Sequence, residues 1–385
     1  MTLDQTESFQ FEKFITVSAP INIALVKYWG KEDEDKIIPK NNSISLTLNK
    51  NQLQSTTRVR VSTFIGSHEF IINNKKSSVT KRMIKMFDNA LKKSAIPIFC
   101  HEKFKFEITT RNNFPIAAGM ASSASGMAAL AFGFGEIFSL SIDDVSILAR
   151  LGSGSATRSV YGGIVEWIRG SGDDSRAVQL YDENYWPDLQ VLILVVNGSE
   201  KKVPSTAGMQ TTVETSQLSR YRYSHVAEEN LAGIREALRN KSFPKLAEIT
   251  MRESNQLHAI CLDTIPPLVY LNQASFDIIE FVNAVNEACK MHKLAYTFDA
   301  GPNAFLIFEK TFQSTLYRLL HYSFDIDLTH GTLNSCLKAE GDNDGDGVSF
   351  QKFHENLSKR PGIIKYCIPT NIGSGPAVLH DQIVI

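Results

Sequence analysis

The stretch FPIAAGMASSASGMAAL, residues 114–130, restricts the folds open to this chain more than any other. Its middle is almost entirely Gly, Ala and Ser. A strand-like segment, FKFEITTRNNF (104–114), precedes it, and an apolar run of helical character follows. The reading is a strand, a turn, and a helix to about Phe138 whose first turn is nearly bare of side chains. A helix start leaves backbone N–H groups without partners and carries partial positive charge. A phosphate satisfies both, provided no side chain stands in the way. Gly119, Ala121, Ser122, Ser123, Ala124 and Gly126 would clear that space, and the two serines offer hydroxyls to a phosphate or its metal. Tight packing of helix on sheet or helix also favours Gly and Ala, so this composition alone does not separate the two explanations. No Gly-Lys-Ser/Thr follows, which excludes the ordinary P-loop, and no G-x-G-x-x-G is present for a Rossmann turn.

Around this stretch the first third alternates strand and loop signals. FITVSAPINIALVKYWG reads as two strands broken at Pro20, and SISLTLN (43–49) and TRVRVSTFI (57–65) alternate apolar with polar residues. Residues 79–93 have helical spacing, and SIDDVSILARLG is a helix opened by a Ser cap before acidic residues. After the strand IVEWI, DENYWPDLQ reads as a linker and QVLILVVN (190–197) as a buried strand opening a second unit. Beyond it the pattern predicts a helix over about 208–240, helices at 243–258 and 275–291, a strand–turn–strand at 295–308 and a helix at 311–323. The class is α+β, with the division placed between residues 188 and 189.

The 385 residues suffice for two domains. Lys and Arg number 40 against 41 Asp and Glu, so no global basic field serves nucleic acid or an anionic membrane. Positive charge that matters must be gathered locally. Five scattered cysteines (Cys100, Cys261, Cys289, Cys336, Cys367) contain no Cys-x-x-Cys pair, which fits a reducing compartment better than a disulfide or zinc framework. The polar N-terminus has no signal-peptide core, and no apolar run approaches the ~20 residues of a membrane span. The expectation is a cytoplasmic protein without a membrane or nucleic-acid partner. DNDGDG (342–347) begins like a calcium loop, but its twelfth position is Phe353 where a bidentate Glu belongs, so it reads as a solvated loop.

Three further places bear on the phosphate reading. Lys27-Tyr28-Trp29-Gly30-Lys31 follows a strand and sets two lysines about a Gly; Tyr28 and Trp29 either wall a pocket or pack in the core. Gly152-Ser153-Gly154-Ser155-Ala156-Thr157-Arg158 is a second bared turn, and its Arg could fork onto phosphate or carboxylate or sit on a surface loop. In TFDAGPNA (297–304) a single acid, Asp299, ends an apolar strand: it is a turn residue, or a carboxylate that orients or deprotonates an alcohol.

Together NIALVKYWGK (22–31), NNFPIAAGMASSASGMAAL (112–130), RLGSGSATRSVYGG (150–163), STAGMQTTVETS (205–216), TFDAGPNA (297–304) and a late GSGP (373–376) resemble, in order, the GHMP superfamily of small-molecule kinases, and within it the mevalonate diphosphate decarboxylase family. The resemblance covers nearly the whole chain. It implies an N-terminal ribosomal-protein-S5-like domain (1–188), a C-terminal ferredoxin-like α/β sandwich (189–385) and a ligand cleft between them. It implies ATP-dependent phosphorylation of the tertiary 3-hydroxyl of mevalonate 5-diphosphate, then loss of phosphate and carbon dioxide to give isopentenyl diphosphate, a step of isoprenoid and sterol biosynthesis. ATP and Mg²⁺ are the implied cosubstrate and metal, without a nameable protein ligand for the metal, and a homodimer is the implied assembly.

By the same resemblance Asp299 is base or orienting group at the 3-hydroxyl. Lys27 supports that hydroxyl and the moving phosphoryl group, and Arg158 holds the substrate carboxylate and keeps Asp299 ionised. Tyr28, Lys31, Ser153 and Ser155 become substrate contacts. Asn112, Gly119, Ala121, Ser122 and Ser123 become nucleotide contacts, with Ser205 a further anchor on a mobile loop. Thr206 stands where some relatives carry Arg, and Met120 replaces their Leu. The alternatives are a kinase of mevalonate or phosphomevalonate without decarboxylation, and a non-catalytic metabolite sensor; joint presence of Lys27, Arg158 and Asp299 argues against the sensor.

Overall fold

The structure, a computed structural model, describes residues 10–113, 122–196, 202–326 and 359–379. Gly119, Met120, Ala121, Cys336 and the acidic 342–347 stretch lie outside the described residues.

Among the described residues the chain forms a six-stranded sheet, two four-stranded sheets and a small two-stranded one. In the largest, Glu12–Pro20 and Gln54–Ser62 are central, Lys105–Asn112 follows, and the late strand Ala377–Leu379 closes the other edge by pairing Thr16 with Leu379. The second sheet orders Ala177–Tyr181, Ile164–Trp167, Ser43–Thr47 and Asn22–Ala24. The third orders Leu294–Phe298, Ala304–Glu309, Leu189–Val196 and Ile364–Asn371, all antiparallel. The helices are α1 (Lys81–Lys93), α2 (Ser122–Phe138), α3 (Ile142–Gly152), α4 (Ser205–Thr215), α5 (Gln217–Tyr221), α6 (Ala227–Arg239), α7 (Phe243–Leu262), α8 (Gln273–Cys289) and α9 (Gln313–Phe324).

Local chemistry explains most boundaries. Thr80 caps α1 by accepting from the Met83 amide, and Ser141 caps α3 by accepting from Asp144. Met83, Met86, Phe87, Ala90 and Leu91 form the buried stripe of α1. The single helix expected over 208–240 is broken at Ser216. Its hydroxyl bonds Asp263 and accepts from the Ser219 amide, while the same Asp263 oxygen accepts from Leu218. A π-helical turn, Arg222–Val226, then joins α5 to α6.

Two large cores result. One lies between the six-stranded sheet and α1 to α3, and includes Val17, Val59, Phe87, Phe106, Phe134 and Leu148. The other runs from Ile21, Ile23, Leu25, Ile44 and Leu46 of the second sheet to Val191, Ile193, Leu231, Phe281 and Leu306. Apolar packing thus continues across the 188/189 position, and the segment holding Lys27 is anchored in that shared core.

Small residues in α2 serve packing from its first turn onward, so Ala124, expected to help clear the helix start, is instead core. Ala124, Ala128, Ala129 and Ala131 are fully buried, and a Cβ on Gly133 would meet the Val59 side chain at 2.7 Å. A Cβ on Gly126 would meet nothing within 4 Å. Gly133→Val is expected to lower stability by about 1–3 kcal/mol through overpacking. Gly126→Ala should leave it unchanged or raise it by up to about 1 kcal/mol, as Gly→Ala in a helix does. Denaturant midpoints of the two variants check both signs.

Candidate active site

Lys27 and Asp299 meet. The Lys27 ammonium lies 2.9 Å from Asp299 Oδ1, with the Lys side chain 2% exposed and the Asp side chain 37% exposed. The lysine therefore approaches from inside the protein and the carboxylate faces outward. Lys27 follows the strand Asn22–Ala24 in a turn, and Asp299 follows the strand Leu294–Phe298. The amide of Phe298 is held by Ser254 Oγ at 3.0 Å, which fixes the end of that strand.

Arg158 joins them from a 3-10 turn, Gly154–Val160. Asn22 pins this turn by donating to the Ser155 carbonyl at 3.0 Å and to Ser159 Oγ at 2.7 Å, and Thr157 is tied to Ser146 at 2.7 Å. The first and third sequence motifs are thereby linked through Asn22. Arg158 is 3% exposed, its guanidinium lies 5.9 Å from the centre of the Trp167 ring, and its Nε and Nη1 are buried without a hydrogen bond among the described residues. Burial pushes its pKa down to about 10, opposed by the charge of Asp299 and by Tyr28, so it remains a cation near neutrality.

Burial also lowers the pKa of Lys27; the charge and hydrogen bond of Asp299, then the charge of Glu253, oppose this, and Arg158 adds to it. His258, on α7, is pushed down to about 4, chiefly by burial and next by Lys27, and is neutral at physiological pH. Glu253 is paired with Arg222 at 2.6 Å, and beyond that pair the pocket holds two basic side chains, one carboxylate and a neutral imidazole. Such a site selects an anionic ligand, and the buried Arg158 fork offers donors for a carboxylate or phosphate.

Tyr28 and Trp29 divide the two roles considered for them. Trp29 is core: it is 4% exposed, donates to Thr212 Oγ1 at 3.0 Å and packs edge-on against Tyr270. Tyr28 turns toward the Arg158 side, with its ring edge-on to Trp167 at 4.6 Å. Its hydroxyl lies 2.7 Å from where a Cβ on Gly154 would stand, so the bare turn is what admits the tyrosine. Burial raises the Tyr28 pKa strongly, which keeps it a neutral phenol.

The other candidates are more dispersed. Ser153 and Ser155 are neighbours, their hydroxyls 3.5 Å apart on the Arg158 turn. Lys31 is buried and pairs with Glu34. Asn112 ends its strand with Oδ1 accepting from Ser55 at 2.6 Å; Ser55 also bonds Ser125 on α2 at 2.6 Å, tying the strand to the helix start. Ser122 opens α2, and Ser123 beside it is exposed. Ser205 is the first residue of α4, within the helix rather than on a loop. Sequence reading missed Glu253, Arg222, Asn230, Asn41 and His258, all buried near Lys27 or bonded to its turn. The available signal was a charged residue on the buried face of α7, in step with Leu246, Thr250, Leu257 and Cys261.

Comparison with known proteins gives two family matches. Residues 19–178 match the diphosphomevalonate decarboxylase-like N-terminal domain, and residues 191–379 the mevalonate 5-diphosphate decarboxylase C-terminal domain. Diphosphomevalonate decarboxylase of Bos taurus is 38% identical over 379 residues, covering 95% of this chain and 94% of its own. The solved mevalonate diphosphate decarboxylase of Trypanosoma brucei superposes with a TM-score of 0.88 at 34% identity, over 97% of this chain and 100% of that one. A further solved structure, MDDEF in complex with MVAPP, AMPPCP and magnesium, has a TM-score of 0.76 at 29% identity, over 96% and 100% of the two chains.

The Lys27–Asp299 pair makes a prediction independent of any ligand. Asp299→Asn removes the two largest influences that keep Lys27 charged, so burial and Arg158 are opposed by Glu253 alone. The Lys27 ammonium is then expected to lose its proton at a lower pH than in the parent protein, read as the titration of its Cε resonance by NMR. An unmoved titration would contradict the contact.

Proposed function

The chain belongs to the diphosphomevalonate decarboxylase family, and we propose that it converts mevalonate 5-diphosphate and ATP to isopentenyl diphosphate, ADP, phosphate and carbon dioxide. The observation that carries this reading is the convergence of Lys27, Asp299 and Arg158, two buried cations about one outward-facing carboxylate.

Asp299 orients the 3-hydroxyl and accepts its proton as the hydroxyl oxygen bonds the γ-phosphorus of ATP and the bond to the β-phosphate oxygen breaks. Lys27 supports the oxygen and the transferring phosphoryl group. Phosphate is a far better leaving group than hydroxide, so the C3–O bond then breaks with its electron pair on phosphate. The electrons of the C1–C2 bond form the C2–C3 double bond as carbon dioxide departs, and no organic electron sink is required. Arg158 holds the carboxylate that leaves, and Tyr28, Ser153, Ser155 and Lys31 take the substrate's remaining polar groups. Gly119 and Ala121, which precede α2 in the sequence, together with Ser122, Ser123, Asn112 and Ser205 take the nucleotide.

Among the described residues no three His, Cys, Asp or Glu side chains gather into a metal cage. That suits magnesium, which in such sites is held largely by phosphate oxygens and water. Bound with ATP, it neutralises charge on the phosphates, and the exposed Ser123 hydroxyl is the group we place beside it. We also place the domain division at 188/189, supported by the gap between the two family matches, and infer a cytoplasmic homodimer. Among the described residues no helix is long and apolar enough to cross a membrane, and Cys100, Cys261 and Cys367 are free thiols, as a reducing compartment favours.

Incubation with ATP, magnesium and mevalonate 5-diphosphate is expected to yield carbon dioxide and isopentenyl diphosphate in step with ADP. ADP without carbon dioxide would replace this reading with that of a kinase. Asp299→Asn should lower kcat by about 10²–10⁴-fold with ATP binding retained. Arg158→Lys should also fail, since a point charge cannot reproduce a planar fork.

A further inference from the structure

The turn carrying Lys27 is gripped by a set of buried polar side chains from α6, α7 and the π-helical turn. Glu253, on α7, is fully buried, and its Oε2 accepts the Lys27 amide proton at 2.7 Å. Arg222, at the start of the π-helical turn, donates to that same oxygen at 2.6 Å, to the Lys27 carbonyl at 3.1 Å and to Asn41 Oδ1 at 3.1 Å. Asn230 donates to Glu253 Oε1 at 2.6 Å, and Asn41 returns a bond to the Lys27 carbonyl at 3.2 Å. Both backbone polar groups of Lys27 are thus satisfied by side chains rather than by a sheet ladder. The adjacent Ser254 holds the amide of Phe298, the residue before Asp299. Consecutive residues of one helix therefore fix the backbone behind each member of the ion pair.

We propose that Glu253 is a positioning residue: held by Arg222 and Asn230, its carboxylate tethers the Lys27 amide and so aims the Lys27 ammonium at Asp299. The kinetic consequence rests on the decarboxylase reading; the tether does not. A purely structural role is the competing explanation, and buried ion pairs make the two separable. Replacing both charges with apolar residues of similar volume is often neutral or stabilising, whereas removing one partner strands the other. Part of the stability is therefore recoverable without the tether, since no charge is stranded although the Lys27 amide and Asn230 lose their acceptor, and correct aim is not.

The charged and titratable groups facing Lys27 are Asp299, Glu253 and His258 from the C-terminal elements and Arg158 from the 3-10 turn. Of these, Asp299 and Glu253 keep Lys27 protonated. If the protonated lysine is the active form, loss of Glu253 moves the alkaline limb of kcat to lower pH.

The test compares the full chain with Glu253→Gln, Glu253→Leu and the pair Glu253→Leu/Arg222→Met, measuring denaturant midpoint, kcat and KM, the pH profile of kcat, and hydrogen exchange of the Lys27 amide. The paired variant is expected to regain part of the stability lost in Glu253→Leu while kcat stays roughly 10–100-fold low, as for a reacting group displaced by about an ångström. Its Lys27 amide should exchange faster and its alkaline limb lie at lower pH. Glu253→Gln keeps an acceptor, so it should retain most of the turnover and show the displaced limb. Turnover that returns with stability in the paired variant, or a Lys27 amide as protected as in the parent, overturns the proposal. Should Glu253→Leu not fold, the paired variant decides alone. A parent protein that releases no carbon dioxide defeats the decarboxylase reading, and amide exchange still decides the tether.

Discussion

Everything in the pocket depends on one contact across 272 residues of chain, the 2.9 Å approach of Lys27 to Asp299. The lysine depends on its partner more than the outward-facing carboxylate does. The lysine is almost entirely buried, and an isolated ammonium there would shed its proton. The partly exposed Asp299 carboxylate has Lys27 at 2.9 Å and acts on the buried Arg158 as well. The contact thus joins two distant segments and favours the protonated form of Lys27.

That contact is possible because the architecture brings separate strand ends to one place. Asn22–Ala24 and Ser43–Thr47 share a core with the sheet containing Leu294–Phe298, so the Lys27 turn and the Asp299 turn rest on common packing. A smaller cluster of Trp29, Met209, Leu257, Cys261, Tyr270 and Ala300 fills the space beneath both turns. The Arg158 turn arrives through Asn22, whose amide bridges it to the strand that leads to Lys27. Apolar packing sets the distance between the segments, and a few buried hydrogen bonds set their orientation.

The parts of this arrangement that were legible in the sequence are those written in local chemistry. The C-terminal end of α2, the capped start of α3 and the strands around SISLT and LQVLILVV follow from periodicity, caps and residue type, whereas Lys27, Arg158 and Asp299 stood out with turn or surface explanations still open and took their roles from the family resemblance. The short edge strands Lys75–Ser77 and Ala377–Leu379 were not legible, since each is defined by its partner rather than by its own alternation. The break at Ser216 needs Asp263, 47 residues later. Glu253 escaped because its meaning lies in what it faces: periodicity assigns it to a buried stripe and says nothing of the amide it receives. The small residues of α2 carried two messages at once, open space at Gly126 and close packing at Gly133, and composition could not distinguish them.

The balance of charge explains why such a pocket suits a reaction that both accepts a proton and moves an anion. On the proposed mechanism, Asp299 taking the hydroxyl proton would cost Lys27 its nearest counter-ion and leave Glu253 alone to oppose burial and the charge of Arg158. Two buried cations without an anion between them are costly. The phosphoryl group arriving at the same oxygen carries the negative charge that Asp299 has just given up. Proton transfer and phosphoryl transfer are therefore favoured together and disfavoured apart, so the carboxylate has least tendency to take up a proton when no phosphoryl group is moving. A histidine held neutral at the edge, as His258 is, adds no third charge to that exchange.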